Sequence, residues 1–238
     1  MYFGQRVAVI IPVLNEEGAI APVVRAIPRE VADDIVVVDN GSSDGSAAAA
    51  RRAGATVVSE PRRGYGSACW RGLEVIRGQP PDIVVFLDGD FSDHPEEMPR
   101  LLDPIAREQA DLVIGSRVRG ADPGALPPQA RLGNALATAL VRLLFGFRYS
   151  DLGPFRAIRF AALEQLDLRD RDFGWSIEMQ VKAVLAGLRI QEVAVGYRRR
   201  VGVSKVSGTV SGALHAGWKI VATIVALRWR SSKLAGWR

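Results

Sequence analysis

The 238-residue sequence has one cysteine, two histidines and no long hydrophobic run. A single cysteine, Cys69, cannot form an intramolecular disulfide or a cysteine-based zinc site, which fits a reducing compartment. The longest apolar run, Ile220–Leu227, lies between Lys219 and Arg228 and is far shorter than the roughly 18–20 residues that a membrane span needs. The N-terminus lacks the basic start of a signal peptide. We therefore expect a cytoplasmic protein without a membrane span.

Acidic residues are missing from the C-terminal end of the chain. The segment Val193–Arg238 contains nine basic residues and no acidic one. Residues 1–192 carry 22 basic and 26 acidic side chains, so a mildly acidic body precedes a basic tail. Trp218 and Trp229 lie about three helical turns apart in this tail and share a face. A basic helix with tryptophans on its apolar face is typical of membrane-surface helices. The tail therefore predicts a peripheral contact with the inner face of the plasma membrane.

Two other interpretations of the basic tail stay open. Its helix could pack on the rest of the protein, or it could form an oligomer contact. Clustered cations also suit nucleic acid, but no nucleic-acid-binding motif accompanies them here. We therefore expect no nucleic-acid partner.

Short β-rich runs alternate with helical patterns through the first half of the chain. The composition, with 48% hydrophobic and 24% charged residues, is that of a folded protein. Near-continuous Val/Ile runs favour strands buried on both faces, as in a parallel sheet, and their alternation with helices predicts an α/β fold. The predicted strands are Val7–Ile11, Ile35–Asp39, Thr56–Ser59, Ile83–Asp88 and Leu112–Ser116, and the predicted helices are Gly18–Ala26, Ser46–Ala53, Ser67–Arg77 and Glu96–Glu108.

The pattern changes in the second half of the chain. Arg119–Gln129 is rich in Gly and Pro and is predicted to be an exposed loop. A turn and a short strand are predicted within Asp151–Ile158, and a strand is predicted at Ile190–Val195. The predicted helices are Gln129–Phe145, Trp175–Ala186 and a last one that ends at about Arg230.

Polar side chains follow the predicted strands, where open α/β sheets bind their ligands. Asp39 ends the second strand, where its carboxylate can hydrogen-bond a ribose or a base. Asp88 and Asp90 follow the fourth strand on one side of the backbone, and Gly89 leaves the space between them open. Paired carboxylates of this kind suit Mg²⁺ or Mn²⁺ held together with a diphosphate. The simpler interpretation of Asp88–Asp90 is a solvated turn.

A second candidate anion site is Arg62–Ser67, where arginines and glycines precede a helix. A helix N-terminus with basic neighbours suits phosphate, although this segment lacks the Gly-Lys-Ser/Thr ending of a Walker motif. A plain basic loop is the alternative. Ser43 is more typical of a turn or helix cap than of a binding residue. His94 is more typical of a structural loop residue than of a metal ligand.

Six segments, in this order along the chain, resemble the family-2 glycosyltransferases of the GT-A fold. The likeness is greatest to the dolichyl- or polyprenyl-phosphate sugar synthases and covers nearly the whole chain. It implies a Rossmann-like three-layer α/β sandwich with a mostly parallel central sheet, followed here by a C-terminal amphipathic helix. The segments are Ile11–Glu17, Val37–Gly45, Arg63–Ala68, Leu87–Ser92, Gly115–Arg117 and Gly202–Lys205.

The resemblance also implies roles for individual residues. The matched positions are Pro12, Asn15, Glu16 and Asp39 for the nucleoside, Asp88 and Asp90 for the metal and diphosphate, Arg117 for the acceptor and phosphates, and Arg199, Ser204 and Lys205 for a mobile substrate loop. Arg63 would add positive charge at the diphosphate. Ser92 stands where the family often has a glutamine ligand to the metal, and Gly153–Arg156 departs from the family's Ser-Gly-Phe-Arg. The C-terminal transmembrane helices of many relatives are not found in this sequence.

The predicted activity is inverting transfer of a sugar from a GDP-mannose- or UDP-glucose-type donor, with Mg²⁺ or Mn²⁺ as cofactor. The acceptor that the resemblance implies is a polyprenyl or dolichyl phosphate. A phosphate monoester is largely dianionic at pH 7, so such an acceptor needs cations and not a base. Arg63, Arg117, Arg199 and Lys205 would stabilise the charge that develops. The predicted division is a GT-A catalytic domain at residues 1–208 and a basic amphipathic tail at residues 209–238.

The alternative is a soluble transferase to a hydroxyl acceptor, which needs a carboxylate base such as Asp151 or Glu178. Glu178 is equally typical of an acidic residue in the first turn of a helix. A nucleotidyltransferase would need a Gly-rich basic loop after the first strand, and Pro12–Asn15 offers none. A non-catalytic lipid-surface protein would not need Asp88 and Asp90.

Overall fold

The structure, a computed structural model, describes residues 1–202 and 210–235, with side chains in the last helix described for 216–231. Strands and helices alternate through most of the chain. The strands are β1 (Val7–Val13), β2 (Asp34–Asp39), β3 (Thr56–Ser59), β4 (Ile83–Phe86), β5 (Leu112–Ser116), β6 (Arg156–Arg159) and β7 (Ile190–Ala194). The helices are α1 (Glu17–Ala26), α2 (Ser46–Arg52), α3 (Tyr65–Ile76), α4 (Met98–Ala106), α5 (Pro128–Phe145), α6 (Phe160–Gln165), α7 (Trp175–Leu185) and α8 (Val210–Ala235).

The seven strands form one sheet in the order β3-β2-β1-β4-β6-β5-β7. β1 pairs in parallel with β2 and β4, while β6 runs antiparallel between β4 and β5. The mostly parallel sheet that the sequence predicts is therefore confirmed. The position of β6 was not predicted, and it divides the sheet into two parallel parts.

Helices cover both faces of the sheet, so alternate residues of each central strand enter different cores. Ala8 and Ile10 of β1 pack into one core, and Val7, Val9 and Ile11 pack into the other. This two-sided burial accounts for the unbroken Val/Ile runs. The three-layer sandwich follows directly from it.

One predicted helix differs from the structure in extent, and one short helix was not predicted. The predicted helix Glu96–Glu108 begins as a 3₁₀ turn, Pro95–Glu97, before α4. The short strand expected within Asp151–Ile158 is β6, and α6, which follows it directly, was not predicted. The long-range pairing of β6 with β4 and β5 fixes it in place, and a local sequence pattern does not contain that information.

The last helix, α8, packs against the body of the protein. Its Ile224 and Leu227 are buried in the same core as Ala137 and Val141 of α5. One of the two interpretations of the tail, a helix packed on the domain, therefore holds for one face of α8. None of the helices in the described part of the chain is both long and apolar enough to cross a bilayer.

Candidate functional site

A cleft of about 370 Å³ opens where the carboxyl ends of β1, β2 and β4 meet. This is the edge at which open α/β sheets bind ligands. Five residues predicted as site residues line it: Pro12, Glu16, Arg63, Asp88 and Asp90. The rest of its lining consists of Val13, Leu14, Asn40, Gly64, Tyr65, Ala68, Gly89, Asp172, Phe173 and Arg200.

The loops that follow β1 and β2 are tied together by hydrogen bonds at the wall of this cleft. The Asn15 side chain accepts a hydrogen bond from the Ser43 amide at 2.8 Å, and the Glu16 amide donates to the Ser46 hydroxyl at 2.7 Å. Asp39 accepts a hydrogen bond from the Ser42 amide at 3.0 Å. Asn15 and Asp39 thus lie beside the cleft and shape its wall. Their predicted contact with a nucleoside stays a prediction.

Asn40, which was not predicted as a site residue, organises another part of the cleft wall. Its amide nitrogen donates to the carbonyls of Glu60 and Arg62, and its amide oxygen accepts from the Gly64 amide. The side chain therefore fixes the loop that brings Arg63 to the cleft. A polar residue directly after a strand that ends in Asp39 is the sequence signal that could have identified it.

The glycines of the Arg62–Ser67 segment allow its backbone to lie close to the backbone of Asp170 and Arg171. A Cβ at Gly64, where φ is +137°, would lie 2.2 Å from the carbonyl oxygen of Arg171, and the Ser67 amide donates to that oxygen at 2.8 Å. One backbone amide at the predicted phosphate-binding N-terminus of α3, that of Ser67, is thus already hydrogen-bonded within the protein. Arg63 itself lines the cleft, and its guanidinium donates to the Gly41 carbonyl at 2.8 Å.

The two carboxylates after β4 face the cleft, as the sequence predicts. A Cβ at Gly89 would lie 2.8 Å from the Val13 side chain, so only glycine lets this turn pack against β1. Burial and, after it, the charge of Asp90 raise the pKa of Asp88 to about 7. Ser92 holds one oxygen of Asp90 through its hydroxyl at 2.5 Å and its amide at 2.9 Å. The other oxygen, Oδ2, lies 3.2 Å from the Arg200 guanidinium.

Asp93 is a third carboxylate at this turn and was not predicted. It is fully buried, one of its oxygens accepts a hydrogen bond from the Asp88 amide, and its Oδ1 has no hydrogen-bond partner among the described residues. Burial raises the pKa of Asp93 well above its usual range, and Asp88 and Asp90 raise it further. Three carboxyl groups are therefore crowded at the end of β4, and a bound cation would favour their ionised forms.

This donor set fits a divalent metal ion. Asp88 and Asp90 offer only hard oxygen atoms, which Mg²⁺ and Mn²⁺ prefer. Within the described residues there is no group of three or more His, Cys, Asp or Glu placed to hold a metal. Mg²⁺ commonly takes one or two carboxylates together with substrate phosphates. Two protein carboxylates plus a diphosphate match that arrangement.

Arg200, and not Arg199, reaches the cleft from the segment before α8. The Arg200 guanidinium contacts Glu16 at 2.6 Å and Asp90 Oδ2 at 3.2 Å. Arg199 is exposed and lies against Gly124, outside the cleft lining. Its predicted role at the substrates thus has no contact in this structure to support it. Ser204 and Lys205 lie outside the described residues.

Arg117 and Asp151 form a buried ion pair beyond β5. Asp151 is 1% exposed and accepts hydrogen bonds at 2.8 Å from the backbone amide, Nε and NH2 of Arg117. Although burial opposes it, these contacts raise the pKa of Arg117. Arg117 also stacks on Tyr197 and lowers the pKa of Asp88 through its charge. Asp151 is therefore committed to positioning Arg117.

Glu178 is likewise committed to contacts inside the protein. It is 4% exposed, accepts hydrogen bonds from the amides of Arg169 and Asp170 at 2.9 and 2.7 Å, and contacts Lys182 at 2.8 Å. These bonds fix the loop that precedes α7. The interpretation of Glu178 as a first-turn acid of the helix describes this geometry better than the predicted role as a base.

A second cavity, of about 650 Å³, lies between this loop, Arg62 and α8. It shares Arg63 and Asp172 with the cleft. Basic side chains outnumber acidic ones along it, and three α8 residues, Ala222, Ala226 and Leu227, supply an apolar side. The remaining lining residues are Arg62, Arg169, Asp170, Arg171, Glu178, Lys219, Thr223 and Arg230. Positive charge thus extends from the cleft towards α8.

Together, the sheet order, the strand-end cleft and its paired carboxylates are those of an α/β protein of the GT-A class. The family model for glycosyl transferase family 2 matches residues 8–167. The chain belongs to this family and is a glycosyltransferase. The predicted fold, family and enzyme class are confirmed.

Individual relatives are similar along almost the whole chain. An uncharacterized glycosyltransferase of Mycobacterium tuberculosis is 38% identical over 225 residues, which cover 92% of this chain and 99% of the relative. An undecaprenyl-phosphate mannosyltransferase of Micrococcus luteus is 30% identical over 237 residues, which cover 94% and 96%.

A solved structure shows the same fold. Glucosyl-3-phosphoglycerate synthase of M. tuberculosis, in complex with Mn²⁺, UDP-glucose and phosphoglyceric acid, matches with a TM-score of 0.75 and 26% identity. The match covers 94% of this chain and 80% of that one. The Mn²⁺ in that neighbour agrees with the predicted divalent cofactor.

Proposed function

We propose that this protein transfers a hexose from a nucleoside diphosphate sugar to a polyprenyl phosphate, with inversion, at the cytoplasmic surface of a membrane. The observation that carries the proposal is the carboxylate pair Asp88 and Asp90 in the strand-end cleft. In this proposal residues 1–208 form the catalytic domain and residues 209–238 the membrane-facing tail.

The donor binds in the cleft with its nucleoside between the β1 and β2 loops. Asp39 lies at the end of β2, where its carboxylate can hydrogen-bond a ribose or a base. Arg63 on the opposite wall lies where a diphosphate would follow. Mn²⁺ or Mg²⁺, when bound to Asp88 and Asp90, supplies positive charge to the leaving diphosphate. UDP-glucose in the similar synthase supports a donor of this class.

The acceptor is best explained as a phosphate because the two candidate bases are committed elsewhere. Asp151 holds Arg117 through three hydrogen bonds, and Glu178 holds two backbone amides and Lys182. A phosphate monoester is already largely ionised at pH 7 and needs no base. Arg117 and the basic cavity beside the cleft provide positive charge for it. The undecaprenyl-phosphate mannosyltransferase supports a lipid phosphate.

Exposed apolar stripes on two helices support a lipid acceptor. Leu132, Leu136 and Leu143 are exposed along α5, and Trp218, Val225 and Trp229 along α8. Within each helix these residues recur at spacings of four, seven or eleven, so they share a face. Since α5 and α8 pack on the same core, both stripes point away from it. A surface of this kind, with Arg228 and Arg230 beside it, suits anionic lipid.

An acceptor panel tests this function. Release of nucleoside diphosphate from GDP-mannose or UDP-glucose is measured with Mn²⁺ and either polyprenyl phosphate, polyprenol or phosphoglycerate. We expect release to depend on Mn²⁺ and to be stimulated by polyprenyl phosphate but not by polyprenol, which has the same tail without the phosphate. No stimulation by polyprenyl phosphate with any donor would contradict the lipid-phosphate acceptor.

A second candidate is transfer to a small phosphorylated acceptor. It is favoured by the similarity to glucosyl-3-phosphoglycerate synthase, which was crystallised with phosphoglyceric acid. In the same panel, stimulation by phosphoglycerate alone would select this function.

A further inference from the structure

Three consecutive arginines before α8 contact different parts of the protein. Arg198 and Arg200 contact the turn that follows β4, and Arg199 lies against Gly124. The Arg198 guanidinium donates to the carbonyls of Phe91 and Asp93 and lies over the Phe91 ring at 3.8 Å.

The backbone of this segment is hydrogen-bonded to the same turn. The Arg198 amide donates to the Ser92 carbonyl and the Val201 amide to the Asp90 carbonyl, each at 2.9 Å. Arg200 lies between these two bonds. Its side chain is thus held where it meets Asp90.

The Arg200 guanidinium lies between Glu16 and Asp90, and Asp90 is one of the two carboxylates that bind the metal in the proposed function. One nitrogen is 2.6 Å from Glu16 and another is 3.2 Å from Asp90 Oδ2, the oxygen that Ser92 does not contact. Its Nε is buried and has no hydrogen-bond acceptor among the described residues. The side chain therefore neutralises crowded acids and retains an unused donor.

We propose that Arg200 is an internal counter-cation that competes with the divalent metal for Asp90 and is passed to the donor diphosphate when the metal binds. This inference rests on the proposed metal site. Two cations cannot share Asp90 Oδ2 at short range without repulsion. Metal binding therefore releases Arg200 from Asp90 and loosens the 198–201 segment from the β4 turn. The freed guanidinium remains at the cleft wall, where a diphosphate offers the acceptor oxygens that it lacks.

Metal binding without a donor tests the competition. Arg200→Ala and Arg200→Gln are compared with Arg52→Ala, which removes the same charge from an exposed position at the end of α2. We expect both Arg200 variants to bind Mn²⁺ about tenfold more tightly than the wild type, as loss of a competing ion pair of about 1.4 kcal/mol requires. Arg52→Ala should bind Mn²⁺ like the wild type.

Two further measurements extend the test. Hydrogen exchange at the Val201 amide should accelerate on addition of Mg²⁺ to the wild type, and it should already be fast in Arg200→Gln without metal. Nucleoside diphosphate sugar, in contrast, should bind about tenfold more weakly to the metal-loaded Arg200 variants. Arg200→Lys should restore part of the donor affinity.

The outcomes separate this inference from the function on which it rests. If the wild type binds Mn²⁺ in a manner that Asp90→Asn abolishes, but the Arg200 variants bind it no more tightly, the counter-cation role is wrong and the metal site stands. If neither the wild type nor any variant binds Mn²⁺, the metal site and the counter-cation role are both wrong.

Discussion

At the residue scale, the crowding of carboxylates after β4 opposes stability in the metal-free protein. Burial and the neighbouring Asp90 raise the pKa of Asp88 from 3.8 to about 7. A carboxyl whose folded-state pKa is raised destabilises the fold above its unfolded pKa, and this cost grows until the pH passes the folded value. The ionised carboxylates that could hold a cation therefore lower the free energy of unfolding of the metal-free protein.

Replacing Asp88 should expose this cost. Asp88→Asn is expected to raise the free energy of unfolding at pH 8 without metal by on the order of a few kcal/mol, with the gain vanishing near pH 4. Mn²⁺ should stabilise the wild type but not the variant. Urea unfolding across this pH range measures both effects.

Asp111 provides a control of opposite sign. The hydrogen bonds of Arg189 lower the pKa of Asp111, so its contribution to stability is present above the unfolded pKa and is lost as the pH falls through the folded value. Asp111→Asn should therefore destabilise the protein at pH 8. If Asp88→Asn also destabilises the protein at pH 8, the inference that crowded carboxylates at the metal site oppose stability is wrong.

Protonation of Asp88 should also govern metal affinity. A ligand must be deprotonated to bind, so protons compete with Mn²⁺ below the pKa of about 7. We expect the Mn²⁺ dissociation constant to rise roughly tenfold per pH unit below 7 and to level off above it. Titration calorimetry with the metal alone measures this, and a flat profile between pH 5.5 and 7 would rule out Asp88 as a ligand.

At the scale of elements, α5 and α8 each bury one face and expose an apolar stripe on another. Trp218 is 72% and Trp229 63% exposed, while Ile224 and Leu227 of the same helix lie in the core. Deleting residues 209–238 would therefore expose core residues and confound a membrane assay. Point substitutions on the exposed faces are the cleaner test.

The stripes predict membrane binding that depends on surface tryptophans. Trp218→Ala combined with Trp229→Ala should lower the partition coefficient on anionic vesicles by roughly tenfold or more, with little change in thermal stability. Phe3→Ala, an exposed aromatic outside α5 and α8, serves as control and should leave binding unchanged. Vesicle sedimentation measures the partition coefficient of each variant. Equal binding by the double variant and the wild type would remove α8 from the membrane contact.

At the scale of the whole molecule, the local pattern of the sequence predicted the strands of the sheet better than the contacts within the site. Buried Val/Ile runs are visible in the sequence because both faces of β1, β2 and β4 are covered. The place of β6 depends on pairing with distant strands, which no local pattern contains.

Within the site, the sequence predicted the residues whose chemistry is distinctive. Asp88, Asp90, Glu16 and Arg63 all line the cleft. The sequence pointed to Arg199, whereas Arg200 is the residue that contacts Glu16 and Asp90, because the direction of each side chain is set only in the fold. It also did not show that Asp151 and Glu178 are occupied by Arg117 and by backbone amides, since those contacts form only in the fold.

Transfer of a sugar to a lipid phosphate at the metal-dependent site is tested most directly by detecting the product itself. Radiolabelled GDP-mannose or UDP-glucose is incubated with the protein, Mn²⁺ and polyprenyl phosphate in anionic vesicles, and label is counted after organic extraction. We predict organic-phase label with one of these donors, lost when Asp90 is replaced by Asn or when Mn²⁺ is chelated. Label that stays entirely in the aqueous phase with both donors, while the protein binds donor and metal, would contradict the account.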